Sequence, residues 1–124
     1  FKAGQFALIG GAVLSLYGIR ETNDLDLVVL PEICEALLKD GWKKEEIEPG
    51  RFVLRKNGVD IFNNLCIDKV FYDREACDII RDADIVDGIP VQNLYDLMSF
   101  KKFLGRPKDL HDIELIREFL VKHK

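Results

Sequence analysis

Histidine is scarce in this chain, with only His111 and His123 among 124 residues. The two are isolated, so no Ser-His-Asp or Cys-His nucleophile set can be assembled from neighbours in sequence. His111 reads as a helix-surface residue. The three cysteines, Cys34, Cys66 and Cys77, are odd in number, widely spaced and without a CxxC pair. That pattern excludes a disulfide framework and a zinc knuckle, and it fits buried or semi-buried free thiols in a reducing, cytoplasmic setting. No GxxxxGK[ST] phosphate loop occurs. No apolar run approaches the roughly 18 residues needed to span a bilayer, and no signal-peptide pattern opens the chain. The single Trp42 and the scattered phenylalanines suit a core better than a base-stacking platform.

What is present is an ordinary single-domain composition. A mass of 14.2 kDa with 48% apolar residues is enough to bury a core in one domain, residues 1–124. A net charge of −4 and a pI near 5.2 argue against coating nucleic acid through bulk charge, though a local basic cluster could still grip a phosphate.

Taken in order, Phe1–Gly4 resembles the tail of a helix ending at Gly4, which would place another helix upstream. Phe6–Ile9 is a short buried strand, Gly10-Gly11 a tight turn, and Ala12–Tyr17 a buried helix closed by Gly18. Arg20–Asn23 leads as a polar loop into a central strand ending in Leu-Val-Val-Leu at Leu30, with Asp24 and Asp26 at its entrance. Pro31 opens a helix whose apolar residues are Ile33, Leu37 and Leu38, and Gly41 ends it. Trp42–Lys44 is expected as a strand followed by a charged loop. Asn57-Gly58 joins Arg51–Lys56 and Val59–Leu65 as a hairpin, and Asp87-Gly88 joins a smaller one, Ala83–Val86 with Ile89–Val91. Between the hairpins, Ile67–Tyr72 is a connection and Asp73–Arg81 a short helix. Asn93 caps an amphipathic helix, Leu94–Leu104, and Asp109 caps a last one, Leu110 to Val121, burying Leu110, Ile113, Ile116 and Leu120.

Three constellations carry candidate chemistry. Asp24 and Asp26 lie at i and i+2, on one face of a strand, and Asp60 stands in an apolar strand that could lie beside them. Such carboxylates repel unless a cation sits among them, and Mg²⁺ or Mn²⁺ suits an all-oxygen donor set. The competing reading makes Asp24 a turn residue, pairs Asp26 with Arg20 or Arg55, and leaves Asp60 at a sheet edge. Gly10-Gly11 before a helix offers backbone N–H groups to a phosphate, or is simply a turn. Lys101, Lys102, Arg106 and Lys108 form a basic cluster that could neutralise a triphosphate, or could equally serve a helix C-terminus while Asp109 and Asp112 serve the next N-terminus.

Together these residues resemble the nucleotidyltransferase superfamily, with the DNA polymerase β-like fold, most nearly its minimal members of the AbiEii toxin type. The likeness runs through IGGAVLSLYGIRETNDLDLVV, then VDIF, then LMSFKKFLGRPKDLHDI. The resemblance implies an α/β (α+β) fold, a mixed sheet flanked by helices with helices at the C-terminus. It also implies transfer of a nucleotidyl group from an NTP to an acceptor hydroxyl on RNA, protein or a small molecule. Asp24, Asp26 and Asp60 would be the catalytic metal ligands. Gly10, Gly11, Arg20, Thr22, Lys101, Arg106 and Lys108 would bind nucleotide. Many members carry serine where Gly11 stands. A cognate antitoxin or other partner protein is implied for the toxin type. The alternative is a module of the same fold that binds a nucleotide or a partner without turnover.

Overall fold

The computed structural model describes residues 1–123. Its centre is β1 (Phe6–Ile9), running antiparallel to β2 (Leu25–Val29) after a hairpin-like excursion through the short helix α1 (Gly11–Leu16). From β2 the chain crosses through α2 (Pro31–Lys39) to β3 (Lys43–Glu48), β4 (Arg51–Lys56) and β5 (Val59–Phe62). β5 returns alongside β2 in parallel. Next come β6 (Asn64–Asp68), β7 (Tyr72–Glu75), α3 (Ala76–Arg81), β8 (Asp84–Val86) and β9 (Ile89–Val91). The helices α4 (Leu94–Leu104) and α5 (Pro107–Lys122) close the described chain. The main sheet is seven-stranded and mixed, in the order β3-β4-β5-β2-β1-β9-β8, while β6 and β7 form a separate two-stranded ribbon. Five helices are formed among the described residues, and none is long and apolar enough to cross a membrane.

The central strands are buried on both faces, as their apolar runs require. Leu8, Leu27, Val29, Leu54 and Ile61 pack with α1, α2, α4 and α5 on one side. Ala7, Ile9 and Val28 pack on the other with Leu65, Tyr72, Ala76 and Ile79 of the ribbon and α3. Both expected hairpin turns form, with Asn57 and Asp87 at φ 51° and glycines at φ 79° and 78° behind them. That is the turn whose twist matches two antiparallel strands.

Several boundaries differ from the sequence expectation. Phe1–Gly4 is not helical: Ala3 makes an isolated parallel bridge to Phe6, and Gly4 turns at φ 88°. β3 extends through the segment expected as a charged loop, because an edge strand can expose every side chain of Lys43–Glu48 and still pair with β4. The arm Val59–Leu65 divides at Asn63. The Asn63 side chain accepts from the Phe52 N–H at 2.9 Å and donates to the Gly50 carbonyl at 3.1 Å, which ends the β4–β5 ladder and releases β6 to pair with β7. The expected connection Ile67–Tyr72 is therefore largely ribbon, and the helix expected from Asp73 starts at Ala76. Cys77 is exposed rather than buried, while Cys34 is buried and Cys66 is intermediate; all three are free thiols. In α2 the inward residues are Cys34 and Leu37, and Leu38 points outward.

The last two helices carry the most consequential difference. Asn93 caps α4 as expected, its side chain accepting from the Asp96 N–H at 2.8 Å. α5, however, begins at Pro107, and Asp109 is its third residue rather than its cap. Asp109 accepts from the Arg106 N–H at 3.2 Å instead. Leu110 is exposed, and the inward stripe of α5 reads Asp109, Asp112, Ile113, Ile116. Because Leu97 is fully buried on the helix that carries this interface, Leu97→Ala is expected to cost about 2–5 kcal/mol, read by urea denaturation.

Candidate functional site

At the end of the sheet where β1 stops and β2 begins, a cleft of about 560 Å³ opens between the sheet and the α4–α5 corner. Nine of the ten residues that the resemblance assigns to the site line it: Gly10, Gly11, Arg20, Thr22, Asp24, Asp26, Lys101, Arg106 and Lys108; Lys102 of the basic cluster faces away, beside Phe71 and Phe103. Asp60, the tenth, does not line the cleft. It lines a neighbouring opening with Lys43, Arg55 and Lys56. Even so, the parallel register of β2 and β5 sets Asp60 directly beside Asp26, so both project from the same face. Asp24 lies one residue before β2 rather than within it. Its backbone N–H donates to the Thr22 hydroxyl at 3.2 Å, a local turn that fixes the strand entrance.

The pairings of Asp26 with Arg20 or Arg55 do not form. Arg20 makes a two-pronged contact with Asp112, at 2.7 and 2.8 Å. Arg55 reaches Asp60 at 3.3 Å and also contacts Glu45. Asp26 is left facing other carboxylates. Its pKa is raised from 3.8 to about 6, first by burial, then by the charges of Asp60 and Asp24, with Arg55 opposing. Such a shift marks a position held against its own electrostatics.

The glycine turn has two distinct constraints. Gly10 adopts φ 62°, ψ −140°, a region accessible essentially to glycine alone, and a side chain there would start 3.9 Å from an Asp26 carboxylate oxygen. A side chain at Gly11 would start 3.2 Å from the Thr22 hydroxyl and 3.5 Å from the Arg20 guanidinium. A side chain at this position is thus in tight contact with the threonine hydroxyl, which would have to shift by a few tenths of an ångström. With only six residues, α1 contributes little dipole.

The opposite wall is an ion cluster rather than a set of free cations. Lys101 is 5% exposed and sits 2.9 Å from Asp112 and 3.6 Å from Asp109, which are 2% and 0% exposed. Arg106 grips Asp109 at 2.6 and 3.1 Å. Burial alone would raise the Asp112 carboxyl, but hydrogen bonds from Arg20 and Lys101 prevail and hold it down at about 2. Asp109 is lowered in the same way, with burial outweighed by Arg106 and Lys101. Counting Lys108, which is exposed and has no ion pair among the described residues, four cations face two carboxylates and the wall stays net positive.

Sequence reasoning missed the residue that holds the glycine turn. Gln92 is fully buried, accepts from the Gly10 N–H at 3.3 Å and donates to the Tyr72 hydroxyl at 3.0 Å. Tyr72 in turn donates to Asp96 at 2.7 Å. Burial, then the bond to Asp96, drive the Tyr72 phenol upward, so it stays a neutral donor. The available signal was slight: an uncharged polar residue directly after the buried pair Pro90–Val91.

The donor set is all oxygen, which suits Mg²⁺ or Mn²⁺. Among the described residues no three His, Cys, Asp or Glu side chains converge into a ready-made cage. Mg²⁺ commonly binds through one or two carboxylates plus waters and substrate phosphates, so a carboxylate pair beside an open cleft fits it. Comparisons with protein-family models, with curated proteins and with solved structures returned no match.

Two stability measurements follow from this geometry. Asp26 binds its proton more tightly folded than unfolded, so it removes stability as pH rises from 3.8 to about 6. Asp26→Asn should therefore flatten that part of the pH–stability curve and stabilise the cation-free protein at neutral pH by on the order of 1 kcal/mol, after allowing for solvent screening. Asp112 has the opposite sign: its contribution is complete above 3.8 and lost as pH falls toward about 2. Asp112→Ala leaves Lys101 buried beside a single remaining carboxylate, and a loss of about 3–5 kcal/mol is expected in denaturant melts.

Proposed function

We propose that this chain is a metal-dependent nucleotidyltransferase with the nucleotidyltransferase type of fold. It would move a nucleotidyl group from an NTP to an acceptor hydroxyl. The observation that carries this reading is the in-register pair Asp26 and Asp60: Asp26, with Asp24 before it, lines a cleft whose other wall is cationic, and Asp60 stands beside Asp26 on the next strand. Carboxylates forced together in this way gain from a divalent cation, and a cationic wall across from them suits the rest of a polyphosphate.

Asp24, Asp26 and Asp60 would hold Mg²⁺ or Mn²⁺, which when bound neutralises the carboxylates and withdraws electron density from the phosphates. The acceptor oxygen attacks the α-phosphorus, the bond from that phosphorus to the bridging oxygen breaks, and pyrophosphate leaves with the electron pair. Asp60, next to the acceptor side, takes the hydroxyl proton. Gly10 and Gly11 let the phosphates approach the backbone closely, and Gln92 keeps the turn in place from behind. Lys108 is the exposed cation best able to meet the leaving pyrophosphate. Arg20, Lys101 and Arg106 act mainly as the structural wall, contributing residual positive charge rather than free ligands.

A second reading, nucleotide or partner binding without turnover, draws on one observation: Arg55 already engages Asp60. A toxin–antitoxin role belongs to either reading and depends on the neighbouring partner. Incubation with α-labelled NTP, Mg²⁺ and a panel of RNA, protein and small-molecule acceptors separates the two. Transfer of label with release of pyrophosphate is expected from the native chain, and none from Asp26→Asn despite its intact fold. Equal turnover by Asp26→Asn would remove the mechanism, and nucleotide binding without pyrophosphate release would leave only the second reading.

A further inference from the structure

One row of residues crosses four strands of the sheet on the face that carries the carboxylates. Lys43 of β3 pairs with Arg55 of β4, Arg55 pairs with Asp60 of β5, and Asp60 pairs with Asp26 of β2. Cross-strand partners share a face, so two cations are followed by two carboxylates in a line, one strand apart. At about 4.8 Å per strand, Arg55 and Lys43 stand about 5 and 10 Å from Asp60 at the backbone. An opening of about 400 Å³ lies over the cationic half, bounded by Lys43, Arg55, Lys56, Gly58 and Asp60. Lys43, Arg55 and Lys56 line it together with Asp60, and Glu45, two residues along β3 from Lys43, contacts Arg55 from the same face. Glu45 and Asp60 engage Arg55, whereas Lys43 and Lys56 are exposed and take no ion pair among the described residues.

We propose that this opening is the acceptor site and that the acceptor is a phosphate-bearing alcohol. Its hydroxyl would lie at Asp60 and its phosphate on Lys43 and Arg55, with Lys56, the last residue before the Asn57-Gly58 turn, at the end of the opening. The inference rests on the nucleotidyl-transfer reading above and adds the chemical class of the acceptor. Asp60 borders this opening and neighbours Asp26 of the nucleotide cleft, so an acceptor here and a nucleotide there meet across one strand pair. The geometry also fits the balance of the step. The acceptor oxygen bonds to the α-phosphorus, its proton passes to Asp60, and pyrophosphate departs on the side of Lys108. A phosphate on the acceptor would draw Arg55 away from Asp60, freeing that carboxylate. Such a ligand has two sources: the 3′-terminal nucleotide of an RNA strand, or a free sugar phosphate. In both, hydroxyl and phosphate sit on one sugar.

The test uses the full chain, labelled with ¹⁵N and saturated with Mg²⁺ and a non-hydrolysable NTP analogue. A trinucleotide RNA with a free 3′ hydroxyl, ribose 5-phosphate and unphosphorylated ribose are then titrated separately. Amide shifts at Lys43, Lys56 and Gly58 with one or both phosphate probes, and not with ribose, are expected; which phosphate probe binds tighter identifies the source. The double variant K43Q/K56Q, changed at two exposed positions, should weaken that probe roughly tenfold. It should leave the shifts that the NTP analogue induces at Gly10 and Gly11 unaltered. No response at Lys43, Lys56 and Gly58, undiminished affinity in the variant, or an equal response to ribose would overturn the acceptor assignment while leaving the nucleotide site standing. Absence of any Gly10 and Gly11 response to the NTP analogue would instead bring down the nucleotidyl reading, and the acceptor assignment with it. Efficient labelling of a protein acceptor, equal in native and variant chains, would also overturn it.

Discussion

Packing holds Asp26 and Asp60 side by side against their mutual repulsion. The β2–β5 register is fixed by the partners on either side: Leu27 against Ile61 beneath one face, and Val28 against Phe62 beneath the other. A one-residue slip would turn every one of these apolar side chains to the wrong face and would also separate the carboxylates. Each buried aliphatic side chain contributes about 1.5–3 kcal/mol, so Leu27, Val28 and Ile61, with half-buried Phe62 beside them, outweigh the penalty that the raised pKa of Asp26 implies. The fold therefore maintains a carboxylate pair that electrostatics alone would disperse. A cation relieves that conflict without any rearrangement of the strands.

The far wall of the cleft obeys the same physics with the signs reversed. Lys101 is buried because Asp109 and Asp112 meet it, and these two are buried because Arg106 and Arg20 complete their hydrogen bonding. Removing one partner from such a cluster is costly, whereas the whole cluster adds little net stability over an apolar equivalent. What it does provide is position. Arg20 lies in the loop between α1 and β2, so its bond to Asp112 ties α5 to the segment that delivers Thr22, Asp24 and Asp26. Gln92, directly after β9, does the same for Gly10. The cleft is thus fastened at two points by polar contacts between residues far apart in sequence.

Much of this was legible in the chain. The two hairpin turns, the Asn93 cap and the apolar runs of β1 and β2 each follow from local chemistry and formed as read; of the two carboxylates read onto the second strand, Asp26 lies on it and Asp24 in the turn just before it. Asp60 was legible as a carboxylate out of place among Val59, Ile61 and Phe62. What escaped was non-local. Lys101 read as a phosphate ligand because a lysine carries no sign of burial, yet it falls four residues after Leu97 on the inward stripe. Asp109 read as a cap because capping is the commonest reason for aspartate near a helix start; its burial depended on Arg106 and Lys101. Edge strand β3 was hidden by a run of charges with no alternation, and the break at Asn63 depended on a side chain reaching Gly50 across the hairpin. Gln92 offered neither charge nor motif.

Calorimetric titration of a non-hydrolysable NTP analogue into the native chain, with and without Mg²⁺, bears most directly on the carboxylate row as a cation-dependent nucleotide site. Saturable binding that requires Mg²⁺ and disappears in Asp26→Asn is the predicted result. Binding that is indifferent to Mg²⁺, or that survives Asp26→Asn with the same affinity, would contradict the account.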